Sequence, residues 1–380
     1  MAIQDIGDTS PAAAPFWRRP QVWLRGLRPV LEAALHPRET LGQAKAGPRP
    51  LSLALQGGGS LGAFTWGVLD RLLQDDRIAL EAVSGASAGA VNAVVLADGL
   101  AGGGRDAARA KLERVWRRLS RASTGAGAAG HPMAALLAGN PLLAGAASAM
   151  TALAFDVSTK LLSPYQSNPL GINPLRDILA EEVDFERLRR AAPVRLLVSA
   201  TRVRDGGARL FRNDDLSLDA VMASTCLPSL HHAVEIDGDW YWDGGISANP
   251  PLLHLAAASR ADDLLLVQLT PTDHDALPRD QKQISKRLHE IVFGLPLRRE
   301  LDLLAITTEL HRRRGIFGSA LGRRLQRLRL HRIAAEDTHD GLQSASALNL
   351  DWDFLTGLRD SGRRAAEGWL AGLPAGRAGS

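Results

Sequence analysis

Hydrophobic positions along the chain alternate between short continuous runs and stretches with helical spacing. The short apolar runs predict buried strands near residues 51–56, 79–84, 194–201, 208–213, 233–242 and 263–269. Apolar positions that recur every three or four residues predict helices near residues 62–74, 88–99, 106–119, 172–190, 250–259, 282–310 and 353–370. This succession predicts an α/β protein with ligand chemistry at the ends of strands.

The pentapeptide Gly85-Ala86-Ser87-Ala88-Gly89 joins a predicted strand to a predicted helix. Strand, sharp turn and helix in this order are typical of a nucleophile elbow, in which the serine stands on a strained turn between close-packing glycines. Ser87 Oγ is then exposed at the carboxyl edge of a parallel sheet, over the positive end of a helix. The pattern alone is weak evidence, because a chain with 37 glycines produces it by chance.

A glycine-rich loop, Gly57–Gly62, also lies between a predicted strand and a predicted helix. Such a loop turns successive backbone N–H groups toward one point, which suits an oxyanion or a phosphate. Its first, third and sixth residues match the dinucleotide fingerprint G-x-G-x-x-G. The nearby acids Asp75 and Asp76 follow a helix rather than a second strand, so a dinucleotide site is less favoured. A purely structural tight turn is a further alternative.

A third element, Asp243-Gly244-Gly245, ends an alternating stretch that begins near Val234. Asp243 is therefore predicted at a strand end, and Asn249-Pro250-Pro251 resembles the start of a helix. A plain turn aspartate is the alternative, since Asp-Gly is common in hairpins.

With these three elements in this order, the chain resembles the patatin-like phospholipase family. The marks of that family are a glycine-rich oxyanion loop, a G-x-S-x-G serine and a D-G-G aspartate. The segments Ala223–Pro228 and Val234–Gly238 also resemble the stretch that precedes the aspartate. The resemblance covers Leu51 to about Leu269, and Asn349–Leu355 is similar to the C-terminal portion of bacterial members. One position departs from the pattern, because Leu61 stands where many members carry Arg or Lys.

The resemblance implies a three-layer α/β/α fold with a mainly parallel central sheet and a helical apolar cap. It implies a catalytic dyad, with Ser87 as nucleophile and Asp243 as general base. It also implies an oxyanion hole at Gly57, Gly58 and Gly59, with motif support from Gly62, Gly85, Gly89, Gly244 and Gly245. The chemistry is hydrolysis of fatty acyl esters of lipids through an acyl-enzyme, without a cofactor or a metal.

The predicted organisation is one catalytic domain with appendages, since the three motifs span too much sequence for separate units. The segments are an N-terminal basic lead (1–50), the catalytic domain (51–270) with an apolar cap insertion (122–165), a C-terminal basic helical extension packed on that domain (271–373), and a tail (374–380). Residues 122–155 carry no charged side chain. Prolines interrupt this stretch, so a cap over an acyl cleft fits better than a membrane span.

Composition narrows the class further. A hydrophobic fraction of 45% and a charged fraction of 23% are ordinary for a globular protein. The single cysteine, Cys226, excludes an intrachain disulfide and a cysteine-based zinc site, and it is expected in the core. Residues 1–50 show no apolar run typical of a secretory signal, which predicts a cytoplasmic protein.

Basic residues cluster between Lys282 and Arg332, and the lead contains Trp17-Arg18-Arg19. Such a surface suits peripheral contact with an anionic membrane, whereas a solvated helix face is the ordinary alternative. Nucleic acid is not an expected partner, because aromatic residues are not interleaved with the arginines.

No histidine has a convincing place for a Ser-His-Asp triad. We expect His231, His232, His254 and His274 to be structural or exposed. Two other functions remain open: an esterase of neutral lipids or of polyhydroxyalkanoate-type polyesters, and a non-catalytic peripheral lipid-binding protein.

Overall fold

The computed structural model describes residues 47–129, 162–271, 277–314, 320–337 and 347–373. Within them, the strands are β1 (Arg49–Leu55), β2 (Ile78–Gly85), β3 (Arg195–Arg202), β4 (Ala208–Arg212), β5 (Val234–Ile236), β6 (Asp239–Asp243), β7 (Asp263–Gln268) and β8 (Arg329–Ala334). Hydrogen-bonded neighbours follow the order β5-β6-β3-β2-β1-β7-β8, and β4 also pairs with β3. Pairs among β3, β2, β1, β7 and β8 are parallel, whereas β4, β5 and β6 pair in antiparallel fashion. The predicted mainly parallel sheet is confirmed.

Helices of the described residues connect and cover these strands. They are α1 (Gly62–Leu72), α2 (Ala88–Ala129), α3 (Pro164–Ser167), α4 (Pro174–Glu182), α5 (Phe185–Ala191), α6 (Leu218–Ser224), α7 (Leu252–Ala258), α8 (Gln281–Arg314), α9 (Ala320–Arg327) and α10 (Trp352–Ala371). Short 3-10 turns occupy Gly59–Leu61, Gly244–Ile246 and Ala335–Asp337. Helix α2 is broken at Gly103 and Gly104, which matches the two helices predicted there.

Alternate residues of the central strands enter two separate apolar cores. Leu53 and Leu55 of β1 pack into the core that contains α1, α2 and α10. Ala54, between them, packs into a second core with residues of α7, α8 and α9. Because successive side chains of a strand point to opposite faces, helices cover both faces of the sheet. The expected three-layer α/β/α architecture is confirmed.

Two predicted elements are divided in the structure. The helix expected over 172–190 forms α4 and α5, because Asp184 begins the second helix and its side chain accepts the N–H of Arg187. The strand expected over 233–242 is the hairpin β5–β6. Its turn is Asp237-Gly238, with φ of 55° and 81°, the left-handed pair that Asp-Gly favours in tight hairpins.

Strand β8 was not predicted, because its arginines were attributed to a basic helical extension. Arginines of this stretch bond inside the fold: Arg324, Arg327, Arg329 and Arg332. The carboxylate of Asp263 in β7 lies 2.7 Å from the Arg329 guanidinium and 2.7 Å from His331 Nε2. Burial opposes ionisation of Asp263, but hydrogen bonds from His331 and two arginines hold its pKa well below the usual range. These arginines of the predicted basic surface therefore bond to acidic or polar groups of the fold itself.

Several sequence predictions lie outside the described residues. These are most of the N-terminal lead with Trp17-Arg18-Arg19, the tail 374–380, and residues 130–161 of the predicted cap. The first part of the cap, to Ala129, continues the backbone of α2. No helix in the portion that the structure covers is long and apolar enough to cross a bilayer.

Candidate active site

Ser87 lies on a strained turn between β2 and α2. Its φ is 52°, a left-handed conformation that a serine adopts only when its surroundings enforce it. The carbonyl of Ser87 accepts the N–H groups of Ala90 and Val91, and its own N–H donates to Ser224 Oγ at 3.0 Å. Ser87 is 8% exposed. This strained turn between a strand and a helix is the backbone geometry that a nucleophile elbow requires.

Gly85 and Gly89 permit this turn because neither position has room for a side chain. A Cβ on Gly85 would approach the carbonyl oxygen of Gly89 to 2.5 Å, and one on Gly89 would approach the carbonyl oxygen of Leu55 to 2.2 Å. Real Cβ atoms do not tolerate such distances. The two glycines therefore let β1, β2 and the first turn of α2 converge below Ser87.

The sheet brings Asp243 to the same place. Strands β2 and β4 both pair with Leu197 and Val198 of β3, so they lie on opposite sides of β3. Strands β4 and β6 both pair with Ala200 and Thr201, so they too lie on opposite sides. Strands β2 and β6 therefore lie on the same side of β3, one after the other along its length. Gly85 pairs with Val198 and Asp243 with Ala200, so Asp243 lies two residues, roughly 7 Å, beyond the end of β2. That is where the chain turns through Ser87.

The backbone and carboxylate of Asp243 are held firmly. Its N–H donates to the carbonyl of Cys226 at 2.8 Å, and its carbonyl accepts the hydroxyl of Thr201 at 2.7 Å. The N–H of Gly245 donates to Oδ1 at 2.7 Å. These bonds aim the carboxylate without supplying a neutralising charge.

Asp243 is fully buried, and burial raises the pKa of its carboxyl to about 7. Interactions with the Ser87 hydroxyl and the Gly245 N–H act in the opposite direction, so desolvation dominates. Its Oδ2 has no hydrogen-bond partner of ordinary geometry within the described ranges. A buried carboxylate that interacts with a serine and titrates near neutrality has the properties of a general base.

The glycine loop lies directly beside the elbow. A Cβ on Gly57 would stand 2.8 Å from Ser87 Cβ. Gly59 has φ of 58°, and Ala347 braces the loop by accepting the N–H of Ser60 at 2.8 Å. The loop therefore presents backbone, and no side chain, to the space next to Ser87.

Not all three predicted oxyanion donors are available. The N–H of Gly57 donates to Asn249 Oδ1 at 2.7 Å, so this group is already satisfied. The N–H groups of Gly58 and Gly59 have no acceptor among the residues described. Gly57 is therefore engaged within the fold, and Gly58 and Gly59 are the candidate donors of the predicted oxyanion hole.

The remaining motif glycines are spacers. A Cβ on Gly62 would approach Ala88 Cβ to 2.7 Å, which fixes α1 against the start of α2. Gly244 lies so close to Ser199 that a Cβ would reach its carbonyl oxygen at 2.0 Å. Gly245 faces the ring of Phe293, to which a Cβ would come within 2.7 Å.

Asn249 and Ser224 are supporting residues that the sequence interpretation missed. Asn249 is fully buried, and its Nδ2 donates to the carbonyl of Phe293 at 2.8 Å. It therefore links the glycine loop to α8. Ser224 receives the N–H of Ser87 from α6, a helix that was not predicted. Asn249 had a sequence signal only as the start of a helix.

The histidines that were considered for a triad do not bond to Ser87 or Asp243 where the structure describes them. His232 Nε2 lies 3.2 Å from the carbonyl oxygen of Pro164, and burial lowers the pKa of His231. His254 is exposed, and His274 lies outside the described residues. Among the residues with described side chains, no histidine forms a hydrogen bond with Ser87 or Asp243.

Cys226 is a core residue, as expected. It is 2% exposed, and its Sγ donates to the carbonyl of His232 at 3.0 Å. Burial, with a contribution from Asp243, raises the pKa of its thiol to about 12. The described residues contain no group of three or more His, Cys, Asp or Glu side chains arranged to hold a metal.

Comparisons with known proteins agree with this geometry. The patatin-like phospholipase family model matches residues 53–256, slightly more than half of the chain, and spans the glycine loop, Ser87 and Asp243. A search of the curated proteins finds no match.

Two solved structures illustrate how far the likeness extends. VipD from Legionella pneumophila is 16% identical, with 86% of this chain and 70% of that chain covered and a TM-score of 0.35. A chain from the complex of SpcU with ExoU from Pseudomonas aeruginosa is 16% identical, with coverages of 84% and 70% and a TM-score of 0.26. The assignment rests on the family model, which matches more than half of the chain. The chain accordingly belongs to the patatin-like phospholipase family, and it is a lipid acyl hydrolase.

Proposed function

We propose that the chain hydrolyses fatty acyl esters of membrane phospholipids with a dyad of Ser87 and Asp243. The observation that carries the proposal is the buried Asp243 carboxylate, which interacts with Ser87, has an unpaired Oδ2 and has its pKa raised to about 7. A serine hydroxyl needs such a base to become a nucleophile.

In the first half-reaction, Ser87 Oγ attacks the acyl carbonyl while its proton passes to Asp243. The oxyanion that forms accepts hydrogen bonds from the N–H groups of Gly58 and Gly59, near the positive end of α2. Collapse of the intermediate breaks the ester bond, and the leaving alcohol takes the proton from Asp243. A lysolipid departs, and the acyl group stays on Ser87.

In the second half-reaction, water attacks the acyl-enzyme and Asp243 accepts its proton. The same two N–H groups stabilise the second oxyanion. The bond between the acyl carbon and Ser87 Oγ then breaks, Oγ takes the proton from Asp243, and fatty acid leaves with the dyad in its starting state. Both halves need Asp243 ionised at the start.

A direct test of the proposed substrate class is turnover of defined lipids by the purified protein. Glycerophospholipids with different headgroups, triacylglycerols and a polyhydroxyalkanoate are compared at equal ester concentration, and fatty acid release is measured. We expect glycerophospholipids to be the preferred substrates. Preference for triacylglycerol or polyester would replace the phospholipid proposal with one of the alternative esterases.

The histidines provide a separate prediction about the base. His231→Ala, His232→Ala, His254→Ala and His274→Ala are each expected to keep kcat/KM within about ten-fold of wild type, since removal of a general base costs about 10²-fold or more. Steady-state hydrolysis of a soluble ester measures this. A single variant as inactive as one that lacks Ser87 would establish a triad in place of the dyad.

Peripheral membrane attachment is also proposed, through an exposed face of α8 rather than through the arginines that the fold neutralises. Its apolar side chains are each between 39% and 58% exposed: Ile284, Leu288, Ile291, Val292, Leu295, Leu303, Ile306 and Leu310. Phe293, on the opposite face of the same helix, lies against Gly245, so α8 as a whole packs beside the site that a lipid must enter. Exposed apolar area of this kind binds a lipid surface.

We expect the protein to cosediment with phosphatidylglycerol-containing liposomes, and Leu288→Asp with Ile291→Asp to weaken binding about ten-fold or more, because each change removes apolar burial and adds an anion. Leu348→Asp, which alters an exposed leucine outside α8, serves as the control. Equal binding of both variants and wild type would exclude this face.

A further inference from the structure

A cleft lies between the carboxyl ends of β1 and β7 and helix α8, at the end of the sheet where Ser87 also lies. Its volume is about 70 Å³, and its polar lining comprises Gln56, Gln268, Thr270, Arg287, Glu290 and Arg298. Since one water occupies about 30 Å³, the cleft holds a compact tetrahedral group but not an acyl chain.

Gln56 lines this cleft, and its side chain carries a buried donor that is unsatisfied. The side chain is fully buried, and its Oε1 accepts the N–H groups of Leu269 and Thr270 at 2.7 and 2.9 Å. These two bonds fix the orientation of the amide. Its Nε2 has no hydrogen-bond partner in the described part of the chain. A buried donor without an acceptor is costly, so the Gln56 amide favours an electron-rich group in the adjoining cleft.

The charges around the cleft favour an anion. Arg287 pairs with Glu290 at 3.2 Å, and Lys286 lies 3.9 Å from the same carboxylate. Arg298 is half-buried and has no ion pair with any described residue. The lining therefore carries two arginines against one glutamate, and the carboxylate is already engaged. An unpaired arginine with a fork of N–H donors matches a phosphate.

We infer that this cleft binds the headgroup phosphate of a phospholipid while the scissile ester lies at Ser87; the inference rests on the proposed function. Gln56 directly precedes Gly57, which adjoins Ser87 Cβ. Strand β1 lies between β2, which leads to Ser87, and β7, which leads to Thr270. One or two strand spacings, roughly 5–10 Å, separate the two positions, and a glycerol backbone spans such a gap.

The test compares Arg298→Met with a matched control, Arg299→Met, which removes the neighbouring exposed arginine of α8. The substrates are a monomeric short-chain phosphatidylcholine and the diacylglycerol with the same acyl chains. Arg298→Met is expected to lower kcat/KM for the phospholipid by about ten-fold or more, the usual effect of a lost charged hydrogen bond. Turnover of the diacylglycerol is expected to change less than about two-fold, and Arg299→Met is expected to affect neither substrate.

Equal loss on both substrates would show that Arg298 has only a structural role and would overturn the inference. Inorganic phosphate distinguishes the source of the anion. Competition against the phospholipid but not against the diacylglycerol supports a headgroup site, whereas an equal effect on both substrates indicates a site for free phosphate and overturns it.

If neither ester is hydrolysed, the proposed function fails. Calorimetric titration with phosphate then still decides the cleft itself: binding by wild type that Arg298→Met abolishes supports a phosphate site, and no binding by wild type excludes it.

Discussion

Ser87→Ala is expected to lower acyl-ester hydrolysis by about 10³-fold or more, because it removes the atom that forms the acyl-enzyme. The fold should persist, since the turn is set by Gly85 and Gly89 and the Ser87 N–H to Ser224 bond does not involve the hydroxyl. Fatty acid release and the thermal midpoint, measured on the same preparation, check both parts.

Ser84→Ala is the matched control for this variant. Ser84 is a fully buried serine of β2, three residues upstream, and its Oγ has no hydrogen-bond partner among the described residues. Its loss should leave kcat/KM near the wild-type value. If Ser87→Ala kept wild-type turnover, the nucleophile would be misassigned.

Asp243→Asn is expected to lower kcat by about 10² to 10⁴-fold, because an amide of nearly equal shape cannot accept the serine proton. Asp237→Asn is the control, since this exposed aspartate lies in the turn of the same hairpin, where asparagine also tolerates the positive φ. The wild-type rate should rise with pH and reach half its maximum near pH 7, where Asp243 ionises.

Asp243→Asn should also be more stable than the wild-type protein at alkaline pH. The pKa of Asp243 is raised from an ordinary value of 3.8 to about 7 on folding, so the folded state binds its proton more tightly than the unfolded chain. Stability is therefore lost as pH rises from about 4 to 7, by up to about 4 kcal/mol. Asp243→Asn removes this loss, so its thermal midpoint should exceed that of wild type at pH 8 and approach it at pH 5. A difference that does not vary with pH would show that Asp243 does not titrate in this range.

The sequence predicted those parts of the site that consist of consecutive residues. The Ser87 turn, the glycine loop and the strand-end Asp243 each have a local geometry that short motifs encode, and the sheet brings the three together. The alternation of strands and helices also predicted the α/β class, whereas the three layers were implied by the family resemblance. These features depend on neighbours in the chain, so they are visible before folding.

Features that depend on distant contacts were not visible. Asn249 occupies the N–H of Gly57 from 192 residues away, and Ser224 accepts the Ser87 N–H from 137 residues away. No local pattern shows which of three glycine N–H groups is free. Strand β8 was hidden for a related reason, since its arginines indicate a strand only when Asp263 of β7 is in register beside them.

The most direct measurement of the central claim is the position of a covalent adduct. The protein is treated with a fluorophosphonate that mimics the tetrahedral intermediate, digested, and mapped by peptide mass spectrometry while residual ester hydrolysis is followed. We predict one adduct, on Ser87, formed in proportion to the loss of activity, and slower labelling in Asp243→Asn. Loss of activity with the adduct on another residue, or full labelling of Ser87 with activity retained, would contradict the account.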